Sequence, residues 1–204
     1  MDIRSFEPLT RDQIKLAHDP AFVDGILDLR LDNGHGNRSA ALAASLPYTC
    51  GSMLAAAQEA LHNGIGAVSP TSGFHHAGYA HAGGFCTLNG LMIAAMNLPD
   101  CKVGVLDFDQ HYGDGTDDII ETLNLYGRVI HGGHPGRGDA ERWLRSIPGT
   151  LAAFAGCDLV LFQAGADPHI NDPLGHWLTT DQMRRRDRLV FEGLRKLGVP
   201  VAFD

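Results

Sequence analysis

The stretch GVLDFDQHYGDG, residues 104 to 115, joins a short apolar run to a cluster of carboxylates and one imidazole. The run from Val103 to Leu106 has the length and composition of a buried strand. It is followed at once by Asp107, Asp109, His111 and Asp114. In an extended segment, residues two apart point the same way, so the first three of these side chains project toward one place. The stretch therefore predicts a strand with metal-ligating residues at its carboxyl end.

Apolar runs of this kind recur along the chain and alternate with helical patterns. The predicted strands are 65–69, 102–108, 158–164 and 199–203. The predicted helices are two short pieces within 9–27, then 52–64, the segment after Cys86, 116–124 and 179–198. Residues 31–50, rich in Gly, Asn and Ser, are predicted to form a loop. The alternation favours an α/β fold with three layers, a parallel sheet with helices on both faces.

Length and composition narrow the function classes. A chain of 204 residues is predicted to form a single domain, 1–204. The formal net charge of −8 argues against a nucleic-acid partner and a membrane surface, and it suits a cationic ligand. The four cysteines are scattered, which disfavours a disulfide scaffold or a cysteine-type zinc site. With no apolar signal segment at the N-terminus and no apolar run near the roughly 18 residues of a membrane span, we expect a cytoplasmic protein.

Polar residues collect at the ends of three predicted strands. The first strand leads to His75-His76, the second to the acidic stretch described above, and the third to Asp167. In parallel α/β sheets the active site forms at the carboxyl ends of the strands. Two carboxylates and an imidazole suit zinc or another divalent transition metal, and catalytic zinc commonly has three protein ligands. Asp167 would be a ligand brought in from another strand.

Simpler interpretations of the same residues stay open at this point. The acidic stretch is also typical of a solvated loop, Asp167 of a turn, and His75-His76 of a loop pair without a role. A calcium-binding EF-hand loop fits poorly, because its sixth position is Tyr112 and its twelfth is Asp118. The remaining histidines near these motifs are predicted to be loop residues, except His169, which is predicted to contact a metal ligand rather than the metal. The loop residues are His35, His131, His134 and His176.

Three segments closely resemble the histone deacetylase family, which includes bacterial acetoin-utilisation-like and acetylpolyamine amidohydrolase-like members. They are SGFHHAGYAHAGGFCTLNGLMIAA (72–95), VGVLDFDQHYGDGTDDII (103–120) and FQAGADPHINDPLG (162–175). The resemblance runs from about residue 9 to the C-terminus. It implies the arginase/deacetylase fold and a zinc-dependent deacetylase that removes an acetyl group from an acylated amine, such as acetyl-lysine or acetylpolyamine. The alternatives are a weak or inactive module that binds metal and acyl ligands, and a manganese ureohydrolase.

The resemblance also implies a role for each motif residue. The metal ligands, for Zn²⁺ with Fe²⁺ as the alternative, would be Asp109, His111 and Asp167. The catalytic histidines with their bonded carboxylates would be His75 with Asp107 and His76 with Asp114. The channel for the acyl-amine substrate would be lined by Gly84 and Phe85. The backbone of 107–111 resembles the family's structural K⁺ site.

One family feature has no counterpart in this sequence. The family places a Tyr in a Gly-Gly-Tyr loop after a later strand, and this chain ends at VPVAFD. Loss of one oxyanion donor costs about 10²- to 10³-fold in rate, and Tyr79 and Tyr112 are the candidates to replace it. Relative to the family, the chain looks shortened at both ends. Because the family's last strands have no counterpart here, we expect an exposed sheet edge, and therefore a homo-oligomer.

Overall fold

Five parallel strands form the central sheet of the computed structural model, which describes residues 2–71 and 73–204. The strands are β1 (Gly66–Val68), β2 (Val103–Asp107), β3 (Val129–Gly132), β4 (Leu159–Gln163) and β5 (Val201–Phe203). Their order across the sheet is β1-β5-β4-β2-β3, and all neighbours are parallel. The helices are α1 (Arg11–Ile14), α2 (Pro20–Leu27), α3 (Ala40–Asn63), α4 (Gly90–Met96), α5 (Asp114–Thr122), α6 (Ala140–Leu151) and α7 (Thr180–Leu197). Ser72, the first residue of the double-histidine segment, lies outside the described residues.

Alternating side chains of the strands pack into two separate cores, one on each face of the sheet. On β2, Val103 and Val105 join the core formed with α3, α4 and α5. Leu106 joins the second core, which contains residues of α6 and α7. All five β2 residues are buried, as is typical of a parallel strand covered on both faces. The predicted three-layer α/β fold is confirmed.

Helix α3 shows that the prediction of a loop over 31–50 was wrong for its second half. The helix begins at Ala40, capped by the Ser39 side chain, and continues past Pro47 to Gly64. An internal proline removes a helical hydrogen bond, which is why the sequence favoured a later start. Packing overrides this signal, because Leu46, Cys50 and Met53 of α3 are buried in the first core. At its full length α3 is long and apolar enough to cross a membrane, but half of its most apolar window is buried inside the fold, as in the core helix of a soluble protein.

Strand β3 and helix α6 have no counterpart among the predicted elements. β3 has only four residues and ends in the glycine-rich sequence GGHPGRG, which is typical of a loop. Helix α6 contains Pro148 near its C-terminal end, again a residue that disfavours a helix. Packing overrides the proline signal, because Leu144, Ile147 and Leu151 of α6 are buried in the second core, and β3 is held in the sheet by its pairing with β2.

The strand order places a crevice between β2 and β4. After β2 the chain enters α5 on one face of the sheet, and after β4 it enters α7 on the other face. Such a divergence at the carboxyl ends of adjacent strands is where open α/β sheets bind ligands. An exposed sheet edge was expected, and the strand pairing shows where the edges lie. β5 pairs with both β1 and β4, so among the described strands the edges are β1 and β3.

Candidate functional site

Three residues at the crevice form a compact set of metal-ligating side chains. Asp109 and His111 follow β2, and Asp167 follows β4. One ligand atom from each lies within 4.8 Å of the others. The Nδ1 atom of His111 is 3.2 Å from an Asp109 oxygen and 2.8 Å from an Asp167 oxygen. Nδ1 is therefore the imidazole nitrogen directed toward the two carboxylates.

Backbone N–H groups connect the turn after β2, which carries Asp109 and His111, with the turn after β4, which carries Asp167. The Gln110 N–H donates to the Asp167 carboxylate at 2.9 Å, and the His111 N–H donates to Asp109 at 2.8 Å. Gly165 permits the close approach, because a Cβ at this position would lie 2.5 Å from the Asp109 Cα. A larger residue at 165 would force the β2 and β4 turns apart.

The chemistry of these donors fits a divalent cation. Burial, together with the nearby charge of Asp109, raises the pKa of Asp167. Two carboxylates that crowd one imidazole nitrogen repel each other unless a proton or a cation lies between them. Two carboxylate oxygens and one imidazole nitrogen are a ligand set that zinc and ferrous iron accept. The set therefore fits a metal of this class, and its geometry does not choose the ion.

Two imidazole–carboxylate pairs lie beside the metal-ligand set. His75 Nδ1 is 2.7 Å from Asp107, and His76 Nδ1 is 2.6 Å from Asp114. The two imidazole rings are 4.1 Å apart, and His75 Nε2 lies 3.8 Å from Asp109. The structure thus brings together the predicted ligands and both predicted pairs, while their catalytic roles stay predictions.

The His75–Asp107 pair is strongly polarised. Burial alone would raise the pKa of Asp107, but the His131 and His75 imidazoles outweigh it and lower that pKa to about 2. Burial alone would lower the pKa of His75, but the hydrogen bond and charge of Asp107 reverse the direction and raise it. Asp107 is therefore a carboxylate at neutral pH, and it favours the imidazolium form of His75.

His131, predicted to be a loop residue, is the third residue of β3, and its side chain is 6% exposed. Its Nδ1 is 2.7 Å from Asp117, its Nε2 is 3.9 Å from Asp107, and the Tyr112 hydroxyl donates to the same Asp117. The buried Val129, two residues earlier on the strand, points to the same side. That alternation would have identified His131 if the strand had been predicted. The Tyr112 hydroxyl is already bonded, which weakens Tyr112 as a replacement oxyanion donor.

His18 anchors the segment that follows the two catalytic histidine candidates, and the sequence did not single it out. Its Nδ1 donates to the Gly78 carbonyl at 2.9 Å, and its Nε2 accepts from the Asn89 N–H at 2.9 Å. This arrangement requires the neutral imidazole, and burial lowers the pKa of His18 to about 4. A side chain from α1's neighbourhood thereby fixes both ends of residues 78–89.

The remaining predicted residues fall into two groups. Gly84 adopts φ +54° and packs on His76, since a Cβ there would lie 2.5 Å from the His76 ring, and the next residue, Phe85, is exposed. Their role as channel-lining residues stays a prediction. The hydrogen bonds of His169 and His176 are made with the Thr180 hydroxyl and the Ile170 carbonyl, not with the metal-ligand candidates.

Comparisons with known proteins agree with the fold and the motifs. Residues 1–143 match the histone deacetylase domain model. An uncharacterised protein of Picosynechococcus sp. is 28% identical over 97% of this chain and 76% of its own length. The acetylpolyamine amidohydrolase of Mycoplana ramosa is 40% identical over 62 residues, which are 28% of this chain and 18% of that protein. The crystal structure of an acetylpolyamine aminohydrolase from Burkholderia pseudomallei superposes with a TM-score of 0.79 at 19% identity, over 99% of this chain and 79% of that one. The chain belongs to the histone deacetylase family, a family of deacetylases and acetylpolyamine amidohydrolases.

Proposed function

We propose that the protein is a zinc-dependent deacetylase that hydrolyses the amide of an acetylated amine. The observation that carries the proposal is the position of the metal-ligand set, Asp109, His111 and Asp167, beside two histidines that are each paired with a carboxylate. Amide hydrolysis needs an electrophilic centre, a base for water and an acid for the leaving amine. The site offers residues for all three tasks within one crevice.

A divalent ion held by the three ligands would supply Lewis-acid polarisation of the amide carbonyl and a lowered pKa for water. The two histidines then divide the remaining work by their surroundings. His75 is held against buried Asp107, which favours its charged form, so it would stabilise negative charge that develops on the carbonyl oxygen. His76 is held against an exposed carboxylate, so its Nε2 would take a proton from water and deliver it to the leaving amine.

The proposed substrate is a cationic chain that ends in an acetylated amine, either a lysine of a protein or a small polyamine. The net charge of −8 favours such a substrate, and two relatives are named for acetylpolyamines. Gly84 beside His76 and exposed Phe85 would line its path to the metal. The four cysteines are free thiols, which supports a reducing cytoplasm as the location.

Metal analysis and paired activity assays test the proposal. We expect one equivalent of zinc per chain, and hydrolysis of an acetyl-lysine fluorogenic peptide or of an N-acetylated diamine. The combined Asp109→Ala and Asp167→Ala changes should abolish both zinc retention and turnover. Asp181→Ala, which removes an exposed carboxylate at the start of α7, should change neither.

Two outcomes would redirect the assignment. Full zinc retention by the double variant would contradict the ligand set. Zinc and hydroxamate binding by the wild type without any turnover would favour the alternative function, a module of this family that binds acyl ligands with weak or absent catalysis.

A further inference from the structure

An arginine of α7 is buried directly beneath the crevice. Arg186 lies in the run Arg184–Arg186, and its side chain is 2% exposed whereas those of its two neighbours are largely in solvent. It shares the buried stripe of the helix with Val190 and Leu194, at a spacing of four residues. A charged group at such an apolar position is costly unless its donors are satisfied.

The guanidinium N–H groups donate to backbone carbonyls just after β2 and β4, and to one carboxylate. Nη1 donates to the Gly165 carbonyl at 2.7 Å and to the Phe108 carbonyl at 3.3 Å. Nη2 donates to the Ala164 carbonyl at 3.0 Å, and Nε donates to Asp187 at 2.7 Å. One nitrogen, Nη1, is therefore shared between the chain that leaves β2 and the chain that leaves β4.

These carbonyls lie next to the metal-ligand candidates. Phe108 immediately precedes Asp109, and Gly165 lies two residues before Asp167. The register of the β2–β4 ladder ends at the pair Asp107 and Gln163, so regular strand pairing does not extend to the turns. Beyond the ladder, the Phe108 N–H still donates to the Gln163 carbonyl. Arg186 connects the two turns from the face of the sheet that α7 covers.

We infer that Arg186 is a positioning residue for the metal site, which it serves by fixing the separation of the two turns that carry Asp109 and Asp167. The planar guanidinium presents its donors in a rigid fork, which a flexible lysine ammonium does not reproduce. The inference rests on the proposed function, because it assigns Arg186 a role toward the metal that the function requires. Groups that orient metal ligands typically change metal affinity about 10- to 100-fold when removed.

The test measures metal binding in the folded protein rather than turnover. Purified apoprotein is titrated with Co²⁺, whose visible absorption reports both affinity and coordination geometry, and circular dichroism and thermal unfolding report the fold. Arg186→Met removes every donor and keeps an apolar chain in the core. Arg185→Met on the same helix removes only an exposed ion pair with Glu141 and is the matched control. Arg186→Lys keeps the charge without the fork.

We expect Arg186→Met to weaken Co²⁺ binding about 10- to 100-fold and to alter the absorption spectrum, while Arg185→Met matches the wild type. Arg186→Lys should fold and still show the altered spectrum, which covers the case in which Arg186→Met does not fold. Wild-type affinity and spectrum in a folded Arg186→Met, or in Arg186→Lys where Met does not fold, would overturn the inference and leave the proposed function standing. A wild-type protein with no Co²⁺ site at all would overturn both.

Discussion

The two imidazole–carboxylate pairs have nearly the same geometry and opposite surroundings. His75 and Asp107 are 2.7 Å apart with side chains 5% and 2% exposed. His76 and Asp114 are 2.6 Å apart with side chains 22% and 66% exposed. The first carboxylate ends a central strand that is covered on both faces, and the second begins α5 at the surface.

Bond length alone therefore does not set the strength of an imidazole–carboxylate pair. Water screens the Asp114 charge, whereas the buried Asp107 acts on His75 through a medium of lower dielectric constant. The charge of Asp107 should therefore act on His75 more strongly than the screened charge of Asp114 acts on His76. The predictions below test this difference, beginning with the largest expected effect.

Asp107→Asn should reduce kcat/KM by about 10²- to 10⁴-fold, the range typical of acid–base and orienting groups. The asparagine oxygen can still accept from the Asp109 N–H, as the Asp107 oxygen does at 3.0 Å. Its amide nitrogen would then face His75 Nδ1 as a donor, so His75 would lose the partner that favours a proton on Nδ1 and with it the imidazolium form. Steady-state kinetics of the metal-loaded enzyme measure the loss, and long-range ¹H–¹⁵N NMR measures whether Nδ1 is protonated.

Thermal unfolding of the Asp107→Asn protein is the control, because a folded variant is needed to interpret the kinetics. A loss in kcat/KM smaller than about tenfold in a folded protein, with the proton on His75 Nδ1 unchanged from the wild type, would contradict the larger catalytic role predicted for the buried pair.

His18 fixes the segment next to both pairs, and its protonation should lower the free energy of unfolding. The pKa of His18 is about 4 in the fold and 6.5 in the unfolded chain, so the unfolded state binds the proton more strongly. The contribution of neutral His18 to the free energy of unfolding is therefore fully present above pH 6.5. It falls as the pH drops toward 4, by about 3 kcal/mol in total. Urea unfolding of the apoprotein across this range measures the slope.

His18→Gln is the comparison for that experiment, because glutamine can donate and accept without titrating in this range. The variant should show a flatter dependence of unfolding free energy on pH between 6.5 and 4. Equal slopes in the two proteins would show that His18 is not the group responsible.

Asp114→Asn should reduce kcat/KM only about two- to fivefold, in line with the small energies of exposed ion pairs. Water can replace the lost carboxylate at this surface position, so His76 keeps a partner. The same kinetic assay that is used for Asp107→Asn gives the direct ratio between the two pairs. A loss at Asp114 as large as that at Asp107 would remove the contrast on which this interpretation depends.

The smallest expected effect is a dependence on salt. The Debye length falls from about 30 Å at 0.01 M to about 3 Å at 1 M ionic strength, and screening acts mainly on exposed charges. The ratio of wild-type to Asp114→Asn activity should approach one at high salt, while the ratio for Asp107→Asn stays nearly constant. Parallel decreases in both ratios would indicate that the two carboxylates are equally screened.

The sequence predicted the parts of the fold whose signal is local. Strands β1, β2, β4 and β5 have continuous apolar runs, and α7 has a capping box at Thr179 and a glycine at its end. Helix α3 was predicted too short because Pro47 and the polar segment before it are local signals against a helix. β3 was missed because its residues gain stability from pairing with β2, which no local pattern records.

The candidate site divides in the same way. Asp107, Asp109, His111 and Asp114 lie in one stretch, and the motifs around His75 and Asp167 are each continuous in sequence. The residues that support them are not. His131 is the third residue of an unpredicted strand. His18 lies 57 residues before His75 in the chain, and Arg186 lies 77 residues after Asp109. No spacing rule links them to the motifs.

Short continuous segments of the sequence specify the kinds of side chain at the strand ends, and hence a metal-ligating set beside two histidines. The tertiary structure makes one histidine pair buried and the other exposed, and it places a buried arginine between the two ligand-bearing turns. Burial depends on what packs against a residue from distant segments, and those contacts exist only after the strands have taken the order β1-β5-β4-β2-β3.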